Sequence, residues 1–192
     1  MIRLRPIARA SLLATMSQME TEAATAASIY GDYSYNAQYV IVLPPNHFDQ
    51  QSIAWSGCGQ HSCTYVDGTR WIAYPAILYQ PDNAFGQTSP CARGKNVNGF
   101  STSLNDAVTI VAGHEFAEMV TDPGVAAWRD PVTGDEKGDK CYMVSANVTL
   151  GRGDVYPMQA TWSNYDRYYH GGGCVFAGRV FRRNVLTDAA VS

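Results

Sequence analysis

His114, Glu115 and Glu118 fall within five residues of an otherwise apolar stretch that runs from Val111 to Pro123. On a helix, side chains at i and i+4 stack one turn apart on the same face, so His114 and Glu118 can share one metal ion with Glu115 beside it. This is the layout of the H-E-x-x-H zinc motif with glutamate in place of the second histidine. In that chemistry the ion activates a water, and Glu115 is the general base that takes its proton and hands it to the leaving amine. A hydrolytic zinc site uses three protein ligands and one open position. Asp122 stands two turns beyond His114, about 12 Å along a continuing helix, too far to share the ion. The third ligand is therefore expected downstream, in a polar, glycine-containing stretch that can bend back. Asp139 is the first choice and Glu136 the second, the other orienting His114 from outside. Two carboxylates and one imidazole form a harder set than His-His-Glu, so Zn2+ is expected with another divalent cation open. His170, Tyr168 and Tyr169 are candidate oxyanion donors. The competing structural reading has the three groups satisfied by arginine, Lys140 or backbone. The apolar helix and the acidic stretch downstream favour the metal.

Composition narrows the classes around this site. The chain has 192 residues, enough for one domain with a real core, and is 46% hydrophobic and 16% charged, which excludes a disordered chain. A net charge of −3 with no basic patch or recognition motif argues against a nucleic-acid partner. No apolar run approaches the roughly 18 residues of a membrane span. Lysine is confined to Lys95, Lys137 and Lys140, and Tyr, Ser, Thr, Asn and Gly are abundant, as in secreted proteins. Arg3, Arg5 and Arg9 resemble the basic end of an export signal, but Ala10 to Met16 is short for its apolar core, so the chain is read as beginning after its signal. The five cysteines, at 58, 63, 91, 141 and 174, form no C-x-x-C pair, which argues against a zinc knuckle or thioredoxin motif. In an exported protein they imply two disulfides and one leftover thiol; in a cytosolic one, five buried thiols.

The elements that must position the site follow from the patterning. A single domain spans residues 1–192, with an N-terminal helical segment over 1–30 and a motif-bearing core over 101–176. Ser11 to Ile29 reads as a helix stopped by Gly31, and Gln38 to Leu43 as a buried strand ended by Pro44 and Pro45. Asn46 to Gln60 reads as loop, and His47 and His61 as isolated surface histidines. Ser62–Val66 and Arg70–Tyr79 form a hairpin about Asp67-Gly68. Pro75 puts the second strand at an edge or bulge, where an extended peptide could add as a strand. Gln80 to Phe100 reads as surface loop. The site helix runs from Ser103 to Thr121, capped by Ser101–Ser103 and stopped by Pro123. Its apolar residues cover almost the whole circumference, which predicts a buried helix whose ionisable groups need partners. Met143–Leu150, Asp154–Trp162 and Gly173–Phe181 read as extended segments. Asn147-Val-Thr149 is a glycosylation sequon, and the four tryptophans are read as core or cleft wall. There is no serine elbow, phosphate loop or thiol-protease sequence. The expected fold is α+β and zincin-like: a twisted mixed sheet packed on the buried site helix, with disulfide-tied loops.

One set of motifs carries a resemblance. Gly113-His-Glu-Phe-Ala-Glu-Met-Val-Thr-Asp-Pro123, then Ala127-Trp128, Glu136-Lys-Gly-Asp-Lys-Cys141, Thr161-Trp-Ser-Asn164 and Gly173-Cys174 resemble a group of secreted bacterial and fungal H-E-x-x-E proteins. These look distantly similar to the phosphate-induced (EXORDIUM-like) family, over residues 100–176 closely and over the first half loosely. The resemblance implies an extracellular metallopeptidase-like domain. It implies that Cys141 pairs with Cys174 and suggests Cys63 with Cys91, leaving Cys58 odd; Cys58 with Cys63 is the competing pairing. The leading expectation is a secreted, monomeric, zinc-dependent peptidase acting on an extracellular polypeptide. The alternative is a non-catalytic secreted or cell-wall-associated domain with a structural metal or carboxylate cluster. A carbohydrate-binding module is a third class, supported only by aromatic abundance.

Overall fold

The computed structural model describes residues 13–34, 36–44, 48–49, 57–78, 106–124, 126–142, 144–149, 151–176, 180–182 and 185–187. Its helices are α1 (Met16–Tyr30), α2 (Asp106–Thr121) and α3 (Asn164–His170). The strands are β1 (Leu13–Ala14), β2 (Ile41–Leu43), β3 (Phe48–Asp49), β4 (Gly59–Val66), β5 (Arg70–Leu78), β6 (Ser145–Thr149), β7 (Val155–Gln159), β8 (Thr161–Trp162), β9 (Cys174–Val175), β10 (Val180–Arg182) and β11 (Val185–Thr187). The class is α+β, as expected. His47, Gln80–Phe100 and the capping residues 101–103 lie outside the described residues.

The helix expected from Ser11 starts at Met16 because Thr15 caps it. The Thr15 hydroxyl accepts from Gln18 N, and the Gln18 side chain accepts from Thr15 N. The preceding Leu13–Ala14 pairs parallel with β3. Gly31 ends α1 in the left-handed conformation, φ 68°, as its sequence position implies.

The principal sheet has the order β2-β5-β4, with β2 parallel and β4 antiparallel to β5. Asp67 and Gly68, φ 52° and 71°, turn the hairpin. One expectation is overturned here: β5 is the central strand, so it offers no open edge for an added peptide. Leu78 N donates to Cys58 O, so the even-numbered residues of β5 bond toward β4 and the odd ones toward β2. The missing N–H of Pro75 therefore falls in the gap between the Gln38–Ala73 bridge and the Ile41–Ala76 pair, where the β2 ladder is broken anyway.

Strand alternation separates two faces. Ile72, Tyr74, Ala76 and Leu78 join Met19, Ala23 and Ala27 of α1 in the main core. The residues of opposite parity, including His61 and its partner Pro75, face α2, which packs on β4, β5 and β7. The helix is not buried all round: Phe116 is 52% and Val120 60% exposed, because only one side of α2 meets the sheet.

Beyond α2 the chain makes a 3-10 turn at Asp139–Cys141, the β6–β7 hairpin, and the β8–β9 pair with α3 between its strands. The segment expected over Asp154–Trp162 is split at Ala160: its N–H still donates to Val144 O at 2.8 Å in the β6–β7 register, but Trp162 N turns to Lys137 O at 3.0 Å and β8 pairs with β9. A disulfide joins Cys141 to Cys174, tying the turn to β9. The suggested pairing of Cys63 with Cys91 is wrong, as is Cys58 with Cys63. Cys63 is a free thiol inside β4 opposite Ala73, and Cys58 is disulfide-bonded to a partner outside the described residues. No helix among the described residues is long and apolar enough to cross a membrane.

Candidate metal centre

Two glycines let the site close. Gly59 of β4 lies so near α2 that a Cβ there would sit 2.7 Å from Glu115 Oε1 and 2.7 Å from Val111 Cγ1. On the other side Gly138 is pressed against Glu118 and His114. This is where the downstream stretch bends back, as expected, and it brings Glu136 and Asp139 to the helix. Asp122 supports the bend from below. It is fully buried, and its Oδ1 accepts from Ala126 N at 2.6 Å and Ala127 N at 2.5 Å, which turns the chain immediately after α2.

His61 corrects the sequence reading. It is a buried residue in β4, not a surface loop residue, and its ring lies against three carboxylates. Nδ1 is 3.4 Å from Glu115 Oε2 and 3.3 Å from Glu118 Oε2, while Nε2 is 3.5 Å from Glu136 Oε1. Nε2 also lies 3.1 Å from Asp122 O, to which it donates. The signal was available: His61 stands opposite Pro75 in the hairpin register, on the face opposite to Gln60, whose amide contacts Met16 of α1.

His114 occupies the other side of Glu118. Its Nε2 is 3.1 Å from Glu118 Oε1 and 3.5 Å from Asp139 Oδ1. Glu118 Oε1 also accepts from Asp139 N at 3.1 Å. Gln159 at the end of β7 was not anticipated. Its amide donates to Gly138 O at 2.9 Å and stands 2.9 Å from His114 Nδ1. Glu136 is buried and receives Arg129 Nη2 at 3.2 Å, whereas the Asp139 side chain is 49% exposed. Tyr168 and His170 sit on the exposed surface of α3, Tyr168 edge-on to Tyr169 and His170 tilted against Tyr165, and neither bonds to the cluster.

The electrostatics are those of too many acids in one place. Burial raises Glu115, and burial together with the Glu118 charge pushes Glu136 up to about 7. Burial also acts to raise Glu118, but His114 and His61 outweigh it and hold it at about 2. Burial acts to lower His61, but the Glu115 and Glu118 carboxylates prevail and lift it to about 10. For His114, burial acts to lower the ring, but the Asp139 and Glu118 carboxylates outweigh it and raise it well above the usual imidazole range, while the Gln159 amide at Nδ1 disfavours a second N–H there. The short amide contact decides the tautomer, because an N–H at Nδ1 would meet the Gln159 donor. Three carboxylates buried together thus depend on histidine protons and on the partly exposed Arg129 for neutrality.

A divalent cation fits this donor set. One ligand atom from each of His61, Glu118 and Glu136 lies within 4.8 Å of the others, and the same holds for His114, Glu115 and Glu118. Glu115 Oε2 is buried and makes no hydrogen bond. A single His61 proton at Nδ1 cannot serve both carboxylates that face it, and a cation can. Compared with the known protein families, with curated proteins and with solved structures, the chain has no match.

Proposed function

We propose that this chain is a secreted, divalent-metal-dependent hydrolase of peptide bonds, with α2 as the site helix of a zincin-like arrangement. The observation that carries the reading is the closure of His61 and Glu136 onto the Glu115–Glu118 turn of α2 in one buried cluster. The resemblance to the secreted H-E-x-x-E proteins points the same way. The Cys141–Cys174 disulfide agrees with an oxidising compartment.

Glu118 and Glu136 would hold the ion, with the imidazoles of His61 and His114 on either side of Glu118. Zinc is the first candidate, and the carboxylate-rich set also suits manganese. Bound there, a divalent cation supplies a Lewis acid that polarises a carbonyl and activates water. Glu115 is the proton acceptor, because its Oε2 is unbonded and burial raises its affinity for a proton. Gly59 and Gly138 close the cluster on two sides and keep bulk water from Glu118. The half-exposed Asp139 marks the side from which a substrate reaches it.

The test is hydrolysis of an unfolded polypeptide by the zinc-loaded chain and by Glu115→Gln. The variant should lose activity by about 100-fold or more while keeping its metal and its fold. A structural ion is the second reading, favoured by the depth of burial of Glu115 and Glu118, 3% and 2% exposed. In that case metal binds and there is no activity for Glu115→Gln to remove. A chain that binds no divalent cation ends both readings.

A further inference from the structure

We infer that the imidazole ligand of this centre is His61, acting through Nδ1 with Glu118 and Glu136, and that His114 is a positioning residue held by Gln159. The inference rests on the metal reading above and reverses the assignment that the H-E-x-x-E spacing suggests.

Hydrogen bonding at the remote nitrogen of each ring decides it. A neutral imidazole carries one N–H and one lone pair, and only the lone pair can bind a cation. When a cation replaces one His61 proton, the N–H that remains belongs on Nε2, which has the Asp122 carbonyl at 3.1 Å and Glu136 Oε1 at 3.5 Å. The lone pair is then on Nδ1, 3.3 Å from Glu118 Oε2 and 3.4 Å from Glu115 Oε2. A lone pair facing two carboxylate oxygens is repulsive unless a positive centre lies between them. Backbone carbonyl to the remote nitrogen, with the near nitrogen among carboxylates, is how a metal-binding histidine is held.

In His114 the order is reversed. The Gln159 amide nitrogen has Gly138 O at 2.9 Å, and exchanging its oxygen and nitrogen would set two oxygens against each other. The amide is therefore oriented, and its second hydrogen points to His114 Nδ1 at 2.9 Å. Nδ1 accepts, so the ring proton sits on Nε2 and is donated toward Glu118 Oε1 at 3.1 Å, with Asp139 Oδ1 at 3.5 Å. His114 has no lone pair to offer the ion. Together with Asp139 N, it fixes one oxygen of Glu118, leaving Oε2 for the cation. Glu136, which groups with His61 and Glu118 within 4.8 Å and has Oε1 3.5 Å from His61 Nε2, is the remaining buried acid open to the ion, and the half-exposed Asp139 is not a ligand.

The full chain has four histidines, so each ring can be followed by two-bond proton–nitrogen NMR during a Zn2+ titration of the wild-type protein. His61 Nδ1 should move to a metal-bound shift, while His114 keeps its Nε2–H tautomer before and after zinc. His61→Ala should weaken Zn2+ binding by about 1,000-fold. His114→Ala should weaken it by about 10- to 100-fold, as outer residues do, and His114→Asn, which restores an N–H toward Glu118, should recover part of that loss. Thermal melts of each variant in chelator separate lost binding from lost fold. A metal-bound shift at His114 Nε2, with or without His61, overturns the inference. So does stoichiometric zinc that perturbs neither ring. A wild-type chain that takes up no zinc instead removes the metal reading on which the inference stands.

Discussion

Gly138→Ala is a sharp test of how the site is closed, because two effects of known size oppose each other. The Gly138 backbone has φ −73° and ψ −44°, a right-handed helical conformation that alanine adopts freely. If nothing stood nearby, alanine would restrict the unfolded chain and stabilise the protein by about 0.4–1 kcal/mol. The added Cβ, however, would lie 2.8 Å from Glu118 Oε1, 2.9 Å from His114 Nδ1 and 3.0 Å from His114 Cε1. Relief requires moving side chains that are already engaged: Glu118 Oε1 with Asp139 N at 3.1 Å, and His114 Nδ1 with Gln159 Nε2 at 2.9 Å. Overpacking costs about 1–3 kcal/mol, and each weakened hydrogen bond about 1 kcal/mol, so a net loss of roughly 1–3 kcal/mol is expected. For a chain of 192 residues each kcal/mol moves Tm by about 2–4 °C, giving a fall of about 2–12 °C in chelator. Zn2+ affinity should drop with it, since Glu118 is displaced. Gly113→Ala is the matched control. It lies within α2, and its Cβ would meet nothing within 4 Å, so it should raise stability by about 1 kcal/mol. If Gly138→Ala is neutral or stabilising like Gly113→Ala, the turn does not press on Glu118 and the proposed closure is wrong.

Other perturbations follow from the same contacts. Asp122→Ala removes the acceptor of two charge-assisted bonds from Ala126 and Ala127, and urea denaturation should show a loss of about 3–5 kcal/mol; a loss below 1 kcal/mol would contradict that role. Cys141→Ser opens a disulfide with a sequence separation of 33, for which chain entropy gives about 4 kcal/mol, readable as a lower urea midpoint; a midpoint unchanged from wild type would refute it. In chelator, stability should fall as pH rises. His61, at about 10 when folded against 6.5, contributes stability below 6.5 that is lost toward 10, and Glu136, at about 7 against 4.5, contributes below 4.5 and is lost through 7. Glu118, at about 2 against 4.5, acts oppositely, losing its contribution as pH falls below 4.5. Metal-free Tm should therefore peak between about pH 4.5 and 6.5, and added Zn2+ should raise Tm more at pH 8 than at pH 6. A flat Tm profile from pH 5 to 9 in chelator would exclude this coupling.

Local rules made part of this legible. Gly31 ends α1, Asp67-Gly68 turns the hairpin, and the Glu136–Cys141 stretch returns to α2, because each depends on neighbouring residues only. His61 was misread because its role depends on register: it gains its partners only when β4 pairs with β5 and the sheet meets α2. Pro75 misled for a related reason, since its missing donor falls where the neighbouring ladder is already interrupted. The helix at Asn164–His170 was legible and overlooked. Ser163 caps it, with its hydroxyl accepting from Asp166 N at 3.1 Å, and Gly171 closes it at φ 74°.

The misreading of α2 as uniformly buried is the more instructive. At 100° per residue, Val111, Glu115, Glu118 and Asp122 fall within about 60° of arc, at the centre of the buried face. Phe116 and Val120 lie on the far side and are largely exposed. This half of the helix is inverted, with carboxylates inward and large apolar groups outward. A hydrophobic pattern cannot reveal that, because apolar residues on every side leave no polar face to orient the helix by. A sequence folded for stability alone would rotate these positions, since exposing Phe116 forfeits burial worth about 1–2 kcal/mol and each buried carboxylate requires a partner. The inverted order is held by Asp122 at the turn, by the Cys141–Cys174 tie behind it, and by the two glycines that admit β4 and the 136–139 turn. Those devices serve the cluster rather than the core. A fold that gives up stability in this way is arranged around the His61–Glu118 contact, where a cation could be held.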